Sequence, residues 1–329
     1  MPNRLLIAAA LLSATPCLHA AVHCVGTESA LYAALDAAKT SPEGDEIRLL
    51  TGRIELRQDL DSVTRIEGGL KVRGGYTAGC QAWPSSASRS TLSGNGHSLR
   101  LFLRSGDLLF ERMDFTGFDD VLVTGNMSNV ATGSIDIVRS AFRDGRNGLS
   151  VEAWGHDIRV SDSLFVGNAP GGNGYGGIGL RVFGYRNAIR NTGMAIHNIT
   201  AVNNAIGVQV EQWPGGTVTA PRVQVINMVA DENAVADLQM ARSVELRSSM
   251  VATVVQTHGA TLGARSGGNL VSDPQLDALS RPIAPGSPAI DSGDGSVLAR
   301  GPLLVMPLDY AGYPRLLGVA IDRGAFEVQ

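Results

Sequence analysis

The sequence predicts an all-β protein, a right-handed parallel β-helix with an N-terminal capping helix and a C-terminal cap. Three observations support this prediction. The 329 residues include 40 glycines and only 5% aromatic residues, a composition typical of many short strands joined by tight turns. A strand-like block of alternating apolar residues returns at intervals of 21 to 36 residues. The sequence also lacks the regular two-residue hairpin turns that antiparallel strands would need.

The recurring block alternates with a period of two, which excludes a helical solenoid and favours coils of short strands stacked on one another. A sandwich or propeller remains an alternative. The copies run over Leu108–Phe115, Ile135–Phe142, Ile158–Phe165, Met194–Ala201, Val223–Ala230 and Val244–Val251. Four copies are followed, three residues on, by Gly145, Asn168, Asn204 or Asn233. Because Gly and Asn tolerate left-handed backbone, we expect turns there.

The first twenty residues have a basic start at Arg4, a short apolar run and a small-residue end at Ala20. This pattern predicts a signal peptide cleaved after Ala20, and therefore a secreted or periplasmic protein. Lipidation at Cys17 is the alternative, and Pro16 directly before it makes a poor lipidation site. No second apolar run reaches the length needed to span a bilayer, so we expect no membrane insertion.

Residues 21–80 are predicted to form the N-terminal cap and the first coils. The segment TESALYAALDAAK places Leu31, Ala34, Leu35 and Ala38 on one helical face, with Thr27 or Ser29 as N-cap. A helix there would cover the open end of the stack. Residues 81–268 would form the β-helix, and residues 269–329 the C-terminal capping segment.

Cys24 and Cys80 are the two cysteines that remain after cleavage. In an oxidising compartment such a pair is most simply a disulfide. Two free thiols are the alternative.

Both ends of the chain resemble a known group of proteins. The segment from Cys24 to Cys80, with its GGY turn at Gly74–Tyr76, resembles the opening of bacterial secreted right-handed β-helix repeat proteins. The closing elements SDPQL, GSPAIDSG, DYAGYPR and IDRGAFE resemble those of the choice-of-anchor Q proteins. The resemblance implies the fold and leaves the activity open, because the group has no common one. The chain stops at Gln329 without the anchoring tail of some members, so release is favoured over surface attachment.

The C-terminal segment carries Asp291, Asp309 and Asp322 among turn residues. We expect their carboxylates to accept backbone N–H bonds. A calcium site is the alternative, although the three aspartates lack the spacing of a ligand loop. No other metal or cofactor is indicated.

Charge excludes some partners. Without Arg4 the chain has 26 basic and 31 acidic residues, a net charge of −5, and no basic run. Nucleic acid is therefore not an expected partner. We expect a monomer.

Three hexapeptides in the central coils indicate a binding face: LSVEAW (Leu149–Trp154), IGLRVF (Ile178–Phe183) and VQVEQW (Val208–Trp213). Aligned on one another, they predict two outward columns about 4.8 Å apart per step. One column holds Glu152, Arg181 and Glu211, and the other holds Trp154, Phe183 and Trp213. Long loops flank these coils, so the aromatic column and Arg181 would form a groove for polysaccharide. The alternative is an aromatic ladder that only stabilises the sheet.

The expected function is non-catalytic binding of polysaccharide along these coils. A polysaccharide lyase or glycoside hydrolase in the same groove is the first alternative, with Glu152, Arg181, Glu211 and His197 as candidates. Against it, Arg181 between the two glutamates should keep both charged, whereas a catalytic acid needs a raised pKa. A structural or adhesive protein without a small ligand is the second alternative.

Overall fold

A computed structural model describes residues 20–125, 133–172, 174, 176–185, 193–211, 223–283, 285–300 and 308–328, with only the backbone of 61–65, 185 and 299–300. The expected signal peptide, apart from Ala20, and Trp213 lie outside the described residues. Within them, the protein is all-β apart from one short α-helix and a 3₁₀ helix at Gly295–Arg300. The strands form three parallel sheets.

The first sheet has nine described strands, in spatial order as in the chain. They are β1 (Val22–Val25), β2 (Asp45–Leu50), β5 (Leu70–Tyr76), β8 (Leu108–Glu111), β11 (Gly133–Val138), β14 (His156–Ser161), β17 (Met194–His197), β20 (Val223–Ile226) and β23 (Val244–Arg247).

The second sheet has eight described strands. They are β4 (Leu60–Ile66), β7 (Ser98–Leu103), β10 (Asp120–Gly125), β13 (Leu149–Trp154), β16 (Ile178–Tyr185), β19 (Ile206–Glu211), β22 (Ala236–Met240) and β24 (Val254–Gln256).

The third sheet has seven described strands. They are β3 (Gly52–Glu55), β6 (Ser90–Ser93), β9 (Met113–Thr116), β12 (Ala141–Arg143), β15 (Leu164–Val166), β18 (Thr200–Val202) and β21 (Val229–Asp231).

The order of strands shows how the chain repeats. In the central part of the chain each strand pairs in parallel with the strand three places further on, as β10 does with β13 and β13 with β16. The chain thus visits the three sheets in turn and returns to the first, which is consistent with a β-helix or other solenoid. The prediction of stacked parallel strands is confirmed. The division of the chain into cap, coils and closing segment stays a prediction.

The interior is filled by apolar rows that run from coil to coil. The rings of Phe115, Phe142 and Phe165 stack nearly parallel, with centroids 4.8 and 5.4 Å apart. All three are at most 2% exposed and belong to one continuous core that extends from the helix to Ala260. Phe142 is the direct register partner of both Phe115 and Phe165, so each ring stacks on the ring of the neighbouring strand.

Asn168, Asn204 and Asn233 adopt a role that the sequence analysis did not predict. None of them has left-handed backbone; that conformation falls one residue earlier, for example at Asn203 with a φ of 56°. These asparagines therefore lie in the connections between strands, as expected, but the left-handed conformation belongs to the preceding residue. Instead Asn168 donates from Nδ2 to Oδ1 of Asn204 at 2.9 Å, and Asn204 donates likewise to Asn233 at 3.1 Å. This amide ladder satisfies polar groups inside the turns.

The α-helix, α1, spans Glu28–Ala38, and its N-cap is Thr27, whose hydroxyl accepts from the Ala30 N–H at 3.3 Å. The predicted face of Leu31, Ala34, Leu35 and Ala38 is buried in the same core as the first strands. The predicted helix is confirmed, and it contacts β1, β2 and β4.

A disulfide joins Cys24 to Cys80, with Cα atoms 5.6 Å apart. This bond confirms the predicted pairing of the two cysteines and is consistent with an extracytoplasmic protein.

The last described residues, 308–328, form what we call the strap, which lies along the outer face of the third sheet. Tyr310 donates to Asp114 at 2.8 Å, and Arg315 donates to Asp162 at 2.8 Å. The Gly324 N–H donates to the Asn227 carbonyl at 2.7 Å. Tyr310, Ala325 and Phe326 also bury Ala141 and Leu164, which point out of the sheet. The strap therefore crosses several coils.

Candidate functional site

The candidate site is the outward face of the second sheet at β13, β16 and β19. The three predicted strands lie side by side there, and the apolar residues that alternate with the outward ones are buried: Leu149, Val151, Leu180, Val208 and Val210, with Ile178 half-buried. Their register differs from the hexapeptide alignment by two residues at each step. Val151 pairs with Val182, and Val182 with Val210.

The two-residue shift changes the neighbours of each outward side chain without changing the face to which it points. Side chains alternate with a period of two, so a shift of two preserves inside and outside. Glu152 and Glu211 are both register partners of Phe183, which lies on the strand between them. Arg181 lies between Ser150 and Gln209. Glu152, Arg181 and Glu211 were predicted to be direct partners on successive strands, and this prediction is therefore wrong.

The aromatic column is corrected in the same way. Trp154 pairs with Tyr185 rather than with Phe183, and Trp213 lies outside the described residues. Phe183 is 6% exposed, too little to offer its face to a sugar ring. Trp154 is half-buried. Of Trp154 and Phe183, only Trp154 could therefore offer the face of its ring to a sugar.

Arg181 and Glu211 nevertheless meet, along a diagonal between adjacent strands. Arg181 donates from Nη2 to Oε2 of Glu211 at 2.8 Å, and both side chains are about a quarter to a third exposed, 34% and 24%. Burial works against the charge on Arg181, but the hydrogen bond to Glu211 and the nearby carboxylates prevail and raise its pKa. The guanidinium therefore stays charged.

Glu152 does not behave as the sequence predicted. Burial raises the pKa of Glu152 above its usual value, and the opposing charge of Arg181 does not compensate. The carboxylates of Glu211 and Asp120 raise the pKa further. Arg181 gives its direct hydrogen bond to Glu211 instead, so its charge does not hold the pKa of Glu152 at or below the usual value, as we had expected.

Asp120 belongs to the same face and was missed by the sequence analysis. It begins β10, and burial raises its pKa while Arg100 and Arg146 lower it. Its Oδ1 atom is buried and has no hydrogen-bond partner among the described residues. The available signal was the position of Asp120 directly before the alternating run VLVTG, in phase with the outward residues.

Two polar amides extend the row of Arg181. Gln209 lies beside Arg181, and Gln239 lies beside Gln209 on the next strand. Gln209 donates from Nε2 to Oε1 of Gln239 at 2.7 Å. The row of Arg181, Gln209 and Gln239 thus runs across three strands. It presents guanidinium and amide groups at the spacing of the sheet, about 4.8 Å.

His197 is not part of this site. It ends β17 in the first sheet, where it pairs with Ser161 and Ile226. The topology therefore places it on a different face from Glu152. It does not join the glutamates as an acid or base.

The described residues contain no group of three or more His, Cys, Asp or Glu side chains arranged to hold a metal ion.

The predicted backbone contacts of the C-terminal aspartates are confirmed. Asp309 accepts from the Tyr313 N–H at 2.7 Å, Asp322 from the Asp291 N–H at 2.7 Å, and Asp291 from the Ala320 N–H at 3.1 Å. These bonds hold turns within the C-terminal segment.

In the described part of the chain no helix is both long enough and apolar enough to cross a bilayer. No family model, curated protein or solved structure matches the chain.

Proposed function

We propose that the protein is a secreted or periplasmic right-handed parallel β-helix in which α1 covers the N-terminal end of the stack. The three parallel sheets, the burial of one face of α1 among the first strands, and the Cys24–Cys80 disulfide support this proposal. The choice-of-anchor Q resemblance of the C-terminal segment is part of the same proposal. We further propose that the protein is a monomer that is neither inserted in a membrane nor bound to nucleic acid.

We propose that the outward face of the second sheet binds polysaccharide without cleaving it. The observation that carries this proposal is the row of Arg181, Gln209 and Gln239 across three adjacent strands. A linear glycan laid across the strands would meet one hydrogen-bonding side chain at each coil. Amide and guanidinium groups suit sugar hydroxyls, which both donate and accept, and the half-buried ring of Trp154 could stack on a sugar face.

The test is affinity gel electrophoresis against a panel of neutral and acidic polysaccharides. The wild type should be retarded by at least one of them. The double variant Trp154→Ala/Arg181→Ala should lose about tenfold or more in apparent affinity, equivalent to roughly 1.4 kcal/mol. Arg159→Ala is the matched control, because Arg159 is an outward arginine of the first sheet, 55% exposed and 3.4 Å from Asp136.

Retardation that is equal in the double variant and the wild type would refute glycan binding at this face. No retardation by any polysaccharide would favour the structural or adhesive alternative.

Cleavage of polysaccharide is the second candidate, and the raised pKa of Glu152 favours it. A carboxyl group whose pKa is raised by burial is the usual proton donor in glycoside cleavage. New reducing ends or unsaturated products in the same incubations, lost in Glu152→Gln, would replace the binding proposal with this one.

A further inference from the structure

Four arginines converge where the turns between the first and third sheets meet the strap. Arg112 and Arg139 are the left-handed residues of two successive turns, with φ of 59° and 47°. Arg89 directly precedes β6, and Arg143 ends β12. We call Arg89, Arg112, Arg139 and Arg143 the arginine cluster. Arg112 is 2% exposed, and the side chains of Arg89 and Arg139 are 13% and 12% exposed.

Two aromatic rings hold guanidinium groups of the cluster. The guanidinium carbon of Arg89 lies 3.6 Å from the centre of the Tyr310 ring, and that of Arg112 lies 3.9 Å from the Trp83 ring. Trp83 follows Cys80, which the disulfide ties to the first strand, and Tyr310 belongs to the strap. Stacking occupies the flat faces of the guanidinium groups and leaves their N–H bonds pointing outward in the plane.

Some of these N–H groups have acceptors and some do not. Arg89 donates to the Arg139 carbonyl, Arg112 donates to the Ser85 carbonyl at 3.3 Å, and Arg139 donates to Glu111. Three further nitrogens are buried and have no hydrogen-bond partner among the described residues: Nη2 of Arg89, Nε of Arg112 and Nη1 of Arg139. Buried N–H groups in proteins are nearly always hydrogen-bonded, so three orphans in one cluster indicate a missing acceptor.

The charges lead to the same conclusion. Among the described residues, Glu111 and Asp114 form ion pairs with the cluster, and Glu111 is shared with Arg73 at 3.1 Å. Asp144 also acts on the charge of Arg143, so the four arginines of the cluster outnumber these three carboxylates, on a chain whose net charge is −4. Burial and the charge of Arg139 lower the pKa of Arg112 to about 10. A concentrated positive excess of this kind favours a bound anion.

We propose that the arginine cluster is a binding site for an oxyanion, a phosphate, sulfate or carboxylate group, with Arg89, Arg112 and Arg139 as donors. Guanidinium N–H pairs match the geometry of such groups and bind them through charge-assisted hydrogen bonds. The ligand is either a free inorganic ion or the acidic group of a sugar. This site lies on the third-sheet side of the molecule and does not depend on glycan binding at the second sheet.

Thermal unfolding and isothermal titration calorimetry with inorganic phosphate test the proposal, with sodium chloride at equal ionic strength as reference. Phosphate should raise the Tm of the wild type by several degrees more than chloride does. Arg112→Gln should lose the phosphate-specific shift, and Arg139→Lys, which keeps the charge, should weaken phosphate binding about tenfold. Arg159→Gln serves as the matched control and should respond like the wild type. A parallel titration with trigalacturonate separates the two sources. If the ligand is a sugar carboxylate, trigalacturonate should displace phosphate at a concentration below that of the phosphate, and if the ligand is a free ion, it should not.

Equal shifts with phosphate and chloride would overturn the proposal. So would an Arg112→Gln variant that is more stable than the wild type in chloride and equally responsive to phosphate, because the cluster would then be only a site of charge repulsion. If Arg112→Gln does not fold, Arg139→Lys decides the same question.

Discussion

Glu327, near the end of the strap, has the most perturbed carboxyl group of the C-terminal segment. Its side chain is 1% exposed, and its oxygens accept from the Asp322 N–H at 3.0 Å and the Leu317 N–H at 3.4 Å. Burial raises the pKa of Glu327 to about 7, against the effect of these bonds, and the charge of Asp322 contributes. Arg315 lies 3.9 Å away and favours the charged form.

The raised pKa makes stability depend on pH. Because the folded protein holds the Glu327 proton more tightly than the unfolded chain does, unfolding becomes easier as the pH rises from about 4.5 through about 7. We expect the Tm of the wild type to fall over this interval. Glu327→Gln keeps an oxygen acceptor and cannot ionise, so its Tm should fall by several degrees less.

Thermal unfolding at closely spaced pH values measures this difference. Glu67→Gln is the control, since the side chain of Glu67 is 38% exposed in a surface pair with Arg104. Parallel curves for wild type and Glu327→Gln would contradict the assignment of the pH dependence to Glu327.

Register decides which residues of neighbouring strands are partners. In parallel pairs, direct partners lie about 4.8 Å apart, whereas residues offset by two are separated by about 8 Å between Cα atoms. Disulfides need Cα atoms within about 7 Å. Ser150 and Arg181 are direct partners in the structure, whereas the hexapeptide alignment makes Glu152 the partner of Arg181.

We therefore predict that Ser150→Cys/Arg181→Cys forms a second disulfide on mild oxidation, and that Glu152→Cys/Arg181→Cys remains largely reduced. Alkylation of free thiols followed by mass spectrometry distinguishes the two states. Efficient bonding of the second pair and not of the first would show that the alignment register is correct and would restore the predicted charged column.

The strap links coils that are far apart in the chain. Arg315 is at its centre, 1% exposed, and donates to Asp162 at 2.8 Å, to the Gly324 carbonyl at 2.7 Å and to the Phe326 carbonyl at 3.2 Å. Asp162 in turn accepts from Asn198 at 3.1 Å in the next turn. One side chain thus connects the strap to the turns of the coils.

Arg315→Met should release the strap from the third sheet. Loss of one partner of a buried ion pair leaves the other charge uncompensated and typically costs about 3–5 kcal/mol. We expect a lower Tm and faster proteolytic cleavage within residues 308–328, with the fragment from the coils remaining protected. Arg281→Met, at a surface arginine 51% exposed and paired with Asp277, should leave both measurements unchanged.

If Arg315→Met lowers the Tm without altering the cleavage sites, the strap does not detach as a unit, and its contacts are part of the global unfolding of the coils.

Local patterns in the sequence were sufficient to predict the strands, the direction in which most of their side chains point, helix α1 with Thr27 as one of two N-cap candidates, and the Cys24–Cys80 disulfide. Each depends on alternation, capping or residue type within a short segment, and so each is readable without knowledge of the fold. Residue type also predicted that the aspartates of the C-terminal segment accept backbone N–H bonds, but most of the partners, such as the Asp291 N–H for Asp322 and the Ala320 N–H for Asp291, lie far away in the chain.

Register, burial and long-range contacts depended on the folded chain. An alignment of repeats cannot distinguish registers that differ by two, because both keep the same residues inside; only the path of the turns between strands decides. The pKa of Glu152 is raised because its carboxyl group is buried and because Arg181 donates its hydrogen bond to Glu211. The spacing of these residues in the sequence predicts neither the burial nor the hydrogen bond. The arginine cluster likewise unites residues 89, 112, 139 and 143 only because successive turns stack and the strap returns over them. Alternation along a strand is a local property, whereas the contacts between coils are set by three-dimensional packing.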